Sequence, residues 1–322
     1  MGRDKVFQQA HDRLVDYGYP SGLICRTPVT YDPELNLYLK WENQQVTGSF
    51  KVRGALNKIL SLSPHELAQG LVTASAGNHG QGVALAAAQF HAGVTVFASS
   101  HAVESKIKAM QQLGAEVRLV EGGYEEAEKT AITYARENHR TWISPYNDIE
   151  VIAGQSTLAF ELLEQIQPFN VEVVLVPLGG GGLAAGVGSV VKSRSNSHKD
   201  TLNVYGVQSE ASPYFYHLYY ENTQEGVVET ESLADGLAGR VEDNAITVSM
   251  VKENLDGVLL VPEQEIAEAV RFAWKTYHQK IEGSAATVLA AILSGKIQSR
   301  PAVVIISGGN ILPEVHSEIC QD

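Results

Sequence analysis

The sequence predicts an α/β protein of two lobes, each built on a mainly parallel sheet flanked by helices. Three observations predict this. Short apolar runs alternate with longer segments of helical periodicity, as repeated βα units do. The runs fall into two series, one from Leu71 to Ile143 and one from Gln155 to Ile306. A chain of 322 residues is long for one hydrophobic core and comfortable for two.

In the first series, Leu71-Val72-Thr73-Ala74 reads as a buried strand, followed by a helix from about Asn78 to Phe90. Val94–Ala98 is the next strand, and Glu104–Leu113 a helix ended by Gly114. Val117–Val120 is a third strand, followed by a helix to about Asn138. Thr141-Trp142-Ile143 is a fourth, which completes a four-stranded unit. The second series opens with a helix over Gln155–Gln167. Val171–Val176 is a strand that runs into glycines, and Val204–Val207 and Val258–Val261 are further strands. Pro262-Glu263-Gln264-Glu265 starts a helix, with proline and acids in the first turn where the helix dipole favours them. Ala302–Ile306 is the last strand. Residues 193–200 and 221–231 are polar connectors, and the N-terminal segment is expected to pack back on the second lobe.

Composition narrows the function. Lys and Arg number 24 against 37 Asp and Glu, a net charge of −13. Such a chain lacks the basic face that nucleic-acid binding needs. No apolar run approaches the length of a membrane span, and the polar start Met1-Gly2-Arg3-Asp4-Lys5 carries no signal-peptide pattern. Cys25 and Cys320, far apart and in no metal-binding spacing, read as free thiols of a reducing cytoplasm.

Four short segments carry chemistry. Thr47-Gly48-Ser49-Phe50-Lys51-Val52-Arg53-Gly54-Ala55 places one lysine where an apolar helix begins. Alone it could be an exposed helix-start lysine; buried beside a cofactor, its amine would lose hydration and could form a Schiff base. Ser75-Ala76-Gly77-Asn78-His79 joins a strand to a helix, where backbone N–H groups can hold an anion. Asn78 could equally be a helix cap, and His79 could be structural. Gly179-Gly180-Gly181-Gly182-Leu183 follows a strong strand and precedes a helix, so successive N–H groups can form a phosphate cup. A dinucleotide loop is the other reading, though no ribose-binding acid stands at the usual distance and no Walker Gly-Lys-Ser/Thr follows. Ser307-Gly308-Gly309-Asn310 ends the last strand.

In this order the four segments resemble the pyridoxal-phosphate (PLP) enzymes of the tryptophan-synthase β fold type, fold type II. Within them the likeness is to the serine/threonine dehydratase (threonine ammonia-lyase) and serine racemase family. It runs from Arg26-Thr27-Pro28 to Asn310 and includes Lys40-Trp41-Glu42-Asn43 and Val151–Gln155. The resemblance implies a large PLP-binding domain of residues 1–57 and 146–322, a small domain of 58–145, and an active site between the lobes. It makes Lys51 the catalytic Schiff-base lysine, with Phe50 beside the pyridine ring unless it is plain core filler. Gly179, Gly180, Gly181, Gly182 and Leu183 would hold the phosphate, and Asn78 the ring oxygen. Ser75, Ala76, Gly77, Asn78 and His79 would hold the substrate carboxylate. Ser307 would meet the pyridine nitrogen, Asn310 would support that turn, and Gly236 and Glu282 would lie near the cofactor.

Three departures matter. Gly283 stands where the family usually has proline. Ala76 stands where the racemases have a proton-donating serine. Gln208 stands where some members bind a divalent cation through glutamate, which leaves a metal open. The chain ends shortly after Asn310, as in the short catabolic dehydratases that lack a regulatory module. The implied activity is loss of water and ammonia from L-threonine or L-serine, giving a 2-oxo acid, by a cytoplasmic homodimer acting on a small amino acid. A serine racemase, a 3-hydroxyaspartate dehydratase and a non-catalytic nucleotide-binding α/β protein are the alternatives.

Overall fold

The computed structural model describes residues 2–166, 171–195 and 202–321. In chain order the elements are α1 (Arg3–Arg13), β1 (Val29–Asp32), β2 (Leu37–Trp41), α2 (Lys51–Ser61), α3 (Pro64–Gln69), β3 (Leu71–Ala74), α4 (Asn78–Gln89), β4 (Val94–Ser99), α5 (Glu104–Gln112) and β5 (Glu116–Val120). There follow α6 (Tyr124–Glu137), β6 (Thr141–Trp142), α7 (Ile149–Gln165), β7 (Val173–Pro177), α8 (Gly182–Ser195) and β8 (Asn203–Ser209). The chain closes with α9 (Tyr214–Tyr220), α10 (Ile246–Asn254), β9 (Gly257–Val261), α11 (Glu263–Tyr277), α12 (Gly283–Leu293), β10 (Ala302–Ile306) and α13 (Pro313–Cys320). The expected helix end at Gln167, and residues 196–200 of one polar connector, lie outside the described residues.

Contacts divide the chain into two compact units, Met1–Cys25 with Lys51–Thr157 and Arg26–Phe50 with Leu158–Asp322. This differs from the expected division of 1–57 and 146–322 against 58–145, and the N-terminal segment is split between the units. Side-chain ties explain where residues 51–57 and 146–157 go. Asn57 Nδ2 donates to the Glu150 carbonyl at 2.7 Å, and Arg13 Nη1 donates to the Glu150 carboxylate at 2.7 Å. A Cβ on Gly154 would lie 2.6 Å from the Arg53 carbonyl oxygen, so α2 and α7 meet backbone to backbone. A Cβ on Gly82 of α4 would likewise lie 3.1 Å from the Val52 backbone.

The first unit carries a parallel sheet in the order β5-β4-β3-β6. The central strand β3 is buried at all four residues, which is why it reads as a continuous apolar run. Ala127, Ala131 and Ala135 of α6 cover Val72, Ala74 and Phe97. Val52, Leu56, Val83 and Met110 form a larger core with Leu71, Val96 and Ile143.

The second unit carries a sheet in the order β1-β2-β10-β7-β8-β9, parallel except for the β1–β2 hairpin. Helix α12 (GSAATVLAAIL) is apolar all round and buried from Gly283 to Ile292, because it lies between the sheet and α11. Ligands of parallel α/β sheets bind at the carboxyl ends of strands, and three such ends carry the singled-out segments. Ser75–Gly77 follows β3, Gly179–Gly181 follows β7, and Ser307–Asn310 follows β10. Strands β7 and β10 are direct neighbours, with Ala302 opposite Val173. No helix among the described residues is long and apolar enough to cross a membrane.

Candidate active site

In the second unit the glycine run forms a tight entry to α8. Gly181 has φ +89°, a conformation that favours glycine, and a Cβ there would lie 2.7 Å from the Phe215 ring and 2.9 Å from Thr247 Cβ. A Cβ on Gly179 would lie 2.9 Å from the Leu237 backbone. Both positions therefore exclude a side chain and leave main chain lining the loop. The first-turn N–H groups of α8, from Gly182 and Leu183 onward, have no intrahelical acceptor and add the positive end of the helix dipole.

The residues called around that loop assemble beside it. Ser307, buried at the end of β10, accepts the Phe50 N–H on its carbonyl at 3.1 Å, and Ser49 bridges Gly308. Glu282 stands at the N-cap position of α12 without a side-chain cap bond; its N–H donates to the Gly308 carbonyl at 3.1 Å, and a Cβ on Gly308 would overlap its carboxylate. Gly236 donates its N–H to the hydroxyl of Ser284 at 3.0 Å. Asn310 Nδ2 donates to the Thr47 carbonyl at 2.9 Å and holds the turn that leads into Ser49 and Phe50. A Cβ on Gly283 would overlap the Leu233 carbonyl, so in place of the family's proline this chain brings Leu233 backbone against α12.

In the first unit Lys51 opens α2, half-buried, and its Nζ donates to the Pro145 carbonyl at 3.2 Å. The Ser75–His79 segment joins β3 to α4. Ser75 donates its N–H to the Phe97 carbonyl, and its hydroxyl accepts the Gly77 N–H at 3.1 Å. Gly77 occupies the N-cap and Asn78 is the first helical residue, so the cap alternative for Asn78 does not describe this helix. Ala76 is exposed. His79 is buried, and its Nε2 lies 3.3 Å from the Ile143 carbonyl. A carbonyl only accepts, so Nε2 carries the proton. Burial first, and then the Lys51 ammonium, push the His79 pKa down to about 3, against a weaker opposing pull from the Ile143 carbonyl. The ring is therefore neutral at working pH.

Sequence reasoning missed two participants. Ser284 lies in the segment Ile281-Glu282-Gly283-Ser284 that resembles the family near the cofactor, but the resemblance gives its own hydroxyl no role. The Pro145 contribution is a backbone carbonyl, which no side-chain pattern announces. At the cation position left open, Gln208 Oε1 accepts the Tyr216 N–H at 3.0 Å and Nε2 is a buried donor without an acceptor. No group of three or more His, Cys, Asp or Glu that could hold a metal occurs among the described residues. A turn centred on an amide donor does not fit a divalent cation.

A family model described as pyridoxal-phosphate dependent enzyme matches residues 20–308. The chain belongs to this family. It is 39% identical over 296 residues to the L-threonine ammonia-lyase of Thermotoga maritima, covering 90% of this chain and 72% of that one. Its fold is similar to maize serine racemase, with TM-score 0.88 and 27% identity over 98% of this chain and 95% of the other. It is also similar to the processed threonine deaminase isoform 2 of Solanum lycopersicum, with TM-score 0.86 and 28% identity over 99% and 93%.

The residues fit PLP. Glycines that exclude side chains and open onto a helix N-terminus suit a phosphate. A neutral hydroxyl at Ser307 suits a ring nitrogen, and a half-buried primary amine at Lys51 suits an aldehyde.

Proposed function

We propose that the chain is a PLP-dependent ammonia-lyase (dehydratase) that deaminates L-threonine or L-serine to a 2-oxo acid, losing the β-hydroxyl as water and taking up one water when the imine product releases ammonia. The observation that carries this reading is Lys51, a lone amine at the start of α2, in a chain 39% identical to an L-threonine ammonia-lyase.

Lys51 would hold the cofactor through its amine and, as a free base, would take the proton from the substrate Cα. Bound PLP supplies the electron sink that makes this proton acidic. The Gly179–Leu183 loop would hold the phosphate through main-chain N–H groups, Phe50 would pack on the ring, and Asn78 would hydrogen-bond the ring oxygen. Ser307 gives the ring nitrogen a neutral partner, which cannot stabilise a positive ring as a carboxylate does. A milder sink suits departure of the β-hydroxyl. Gly236 and Glu282 act by holding these loops in place. The Ser75–His79 segment orients the substrate carboxylate.

Ala76 separates elimination from racemisation. A racemase needs a second acid on the far face of Cα, and a methyl moves no proton. With L-serine, pyruvate and ammonia should form at least about a hundredfold faster than D-serine. The assay follows pyruvate and D-serine in one reaction, and Ala76→Ser should raise the D-serine share. D-serine formed as fast as pyruvate would sink the lyase reading in favour of a racemase.

A further inference from the structure

One more charged side chain belongs to the Ser75–His79 loop. Lys106, in the first turn of α5, lies along Gly77. Its Cδ comes within 3.6 Å, and its Nζ within 4.0 Å, of the position a Cβ on Gly77 would occupy. The side chain is half-buried. A carboxylate on this loop gives up water and needs a positive partner in return. The loop itself offers only neutral donors, its main-chain N–H groups, the Ser75 hydroxyl and the Asn78 carboxamide, and the Gly77 N–H is already bonded to Ser75 Oγ. His79 supplies no charge, because its buried ring is neutral. The Lys51 amine is committed to the cofactor aldehyde and the Cα proton.

We propose that Lys106 is the counter-ion of the substrate α-carboxylate, reaching it across the bare Cα of Gly77. This inference rests on the lyase reading and adds a substrate rule. The enzyme should accept amino acids with a free α-carboxylate and reject their amides and esters, which give the ammonium no charge to meet.

The test compares wild type with Lys106→Met, Lys106→Gln and Lys106→Arg as PLP-loaded proteins. Glycine is the probe, because it has the amine and carboxylate but no β-leaving group. Its affinity is read from the change in cofactor absorption. Losing a charge-assisted hydrogen bond should weaken glycine binding and raise KM for L-threonine by about ten- to a hundredfold in the Met and Gln variants. The kcat, PLP affinity and melting temperature should stay close to wild type, and Lys106→Arg should recover most of the loss. A purely structural lysine would move melting temperature and kcat instead. Unchanged glycine affinity in a normally melting Lys106→Met protein overturns the counter-ion role, even if the wild type turns over L-threonine. Glycine binding that depends on Lys106 in a wild type that releases no 2-oxo acid supports the counter-ion role and overturns the lyase reading.

Discussion

Lys51→Ala abolishes turnover and leaves the fold in place. In the proposed reaction two tasks fall on one amine, holding PLP and removing the Cα proton, and general base work alone is worth about a hundred- to ten-thousandfold. The loss should therefore exceed about a thousandfold. Little stability goes with it. Lys51 is the first residue of α2, its Nζ donates to the Pro145 carbonyl at 3.2 Å, and alanine is the better helix former. That bond is worth about 1–3 kcal/mol, and the freed carbonyl can turn to water in the half-buried setting. The measurement pairs the rate of 2-oxo acid release with the cofactor band near ~410 nm before and after borohydride. A variant that keeps activity within tenfold of wild type, with a borohydride-sensitive band, would rule out Lys51 as the anchor.

Much of this architecture was legible because its signals are local. Strands β3 and β10 are short β-branched runs buried at every residue, so length and flanking turns identify them. The Lys51 and glycine-run segments each sit within a few consecutive residues where a strand or helix begins. The β1–β2 hairpin was not read. In Leu37-Tyr38-Leu39-Lys40-Trp41 all five residues are buried, one of them a lysine, so the run neither alternates nor stays apolar. Helix α7 begins at Ile149 rather than Gln155 because Asp148 Oδ1 accepts the Glu150 N–H at 2.8 Å, a side-chain cap that the Asp-Ile-Glu sequence did offer.

The rest of the site was illegible for a different reason. Gly236 and Ser284 pair across 48 residues, and Lys106 reaches Gly77 from another helix. Such meetings are set by how strands and helices stack, and no window along the chain contains both partners. The unit boundaries follow the same rule. Residues 51–57 fall in the first unit, where Asn57 and Gly54 bond to α7.

Lys40→Met should be among the most destabilising single changes in the second unit. Lys40 is fully buried, and its ammonium donates to the Thr27 carbonyl at 2.7 Å, Glu161 Oε2 at 2.7 Å and Gln165 Oε1 at 2.9 Å. Gln165 Nε2 returns a bond to the same Thr27 carbonyl at 2.9 Å. The pair with Glu161, itself 3% exposed at the side chain, has no water to fall back on. As an ion pair it adds little net stability, because desolvation of both charges offsets their attraction. Removing only the cation takes the Lys40 ammonium away from the buried Glu161 carboxylate, at about 3–5 kcal/mol. For a unit of this size that corresponds to a melting temperature lower by roughly 10 °C. The double change Lys40→Met/Glu161→Leu should recover most of the loss, since it removes both charges and keeps the volume. Cofactor retention should follow the same order. Strand β2 leads through Glu42 and Gln45 to Ser49 and Phe50, whose backbone is bonded to the Ser307 end of β10. A slack β2 would therefore loosen the Ser49–Phe50 and Ser307 segment proposed to hold the PLP ring. Thermal melts and PLP affinity on the two variants decide the matter. A double variant that melts no higher than Lys40→Met would mean that lost packing, and not the buried carboxylate, sets the cost.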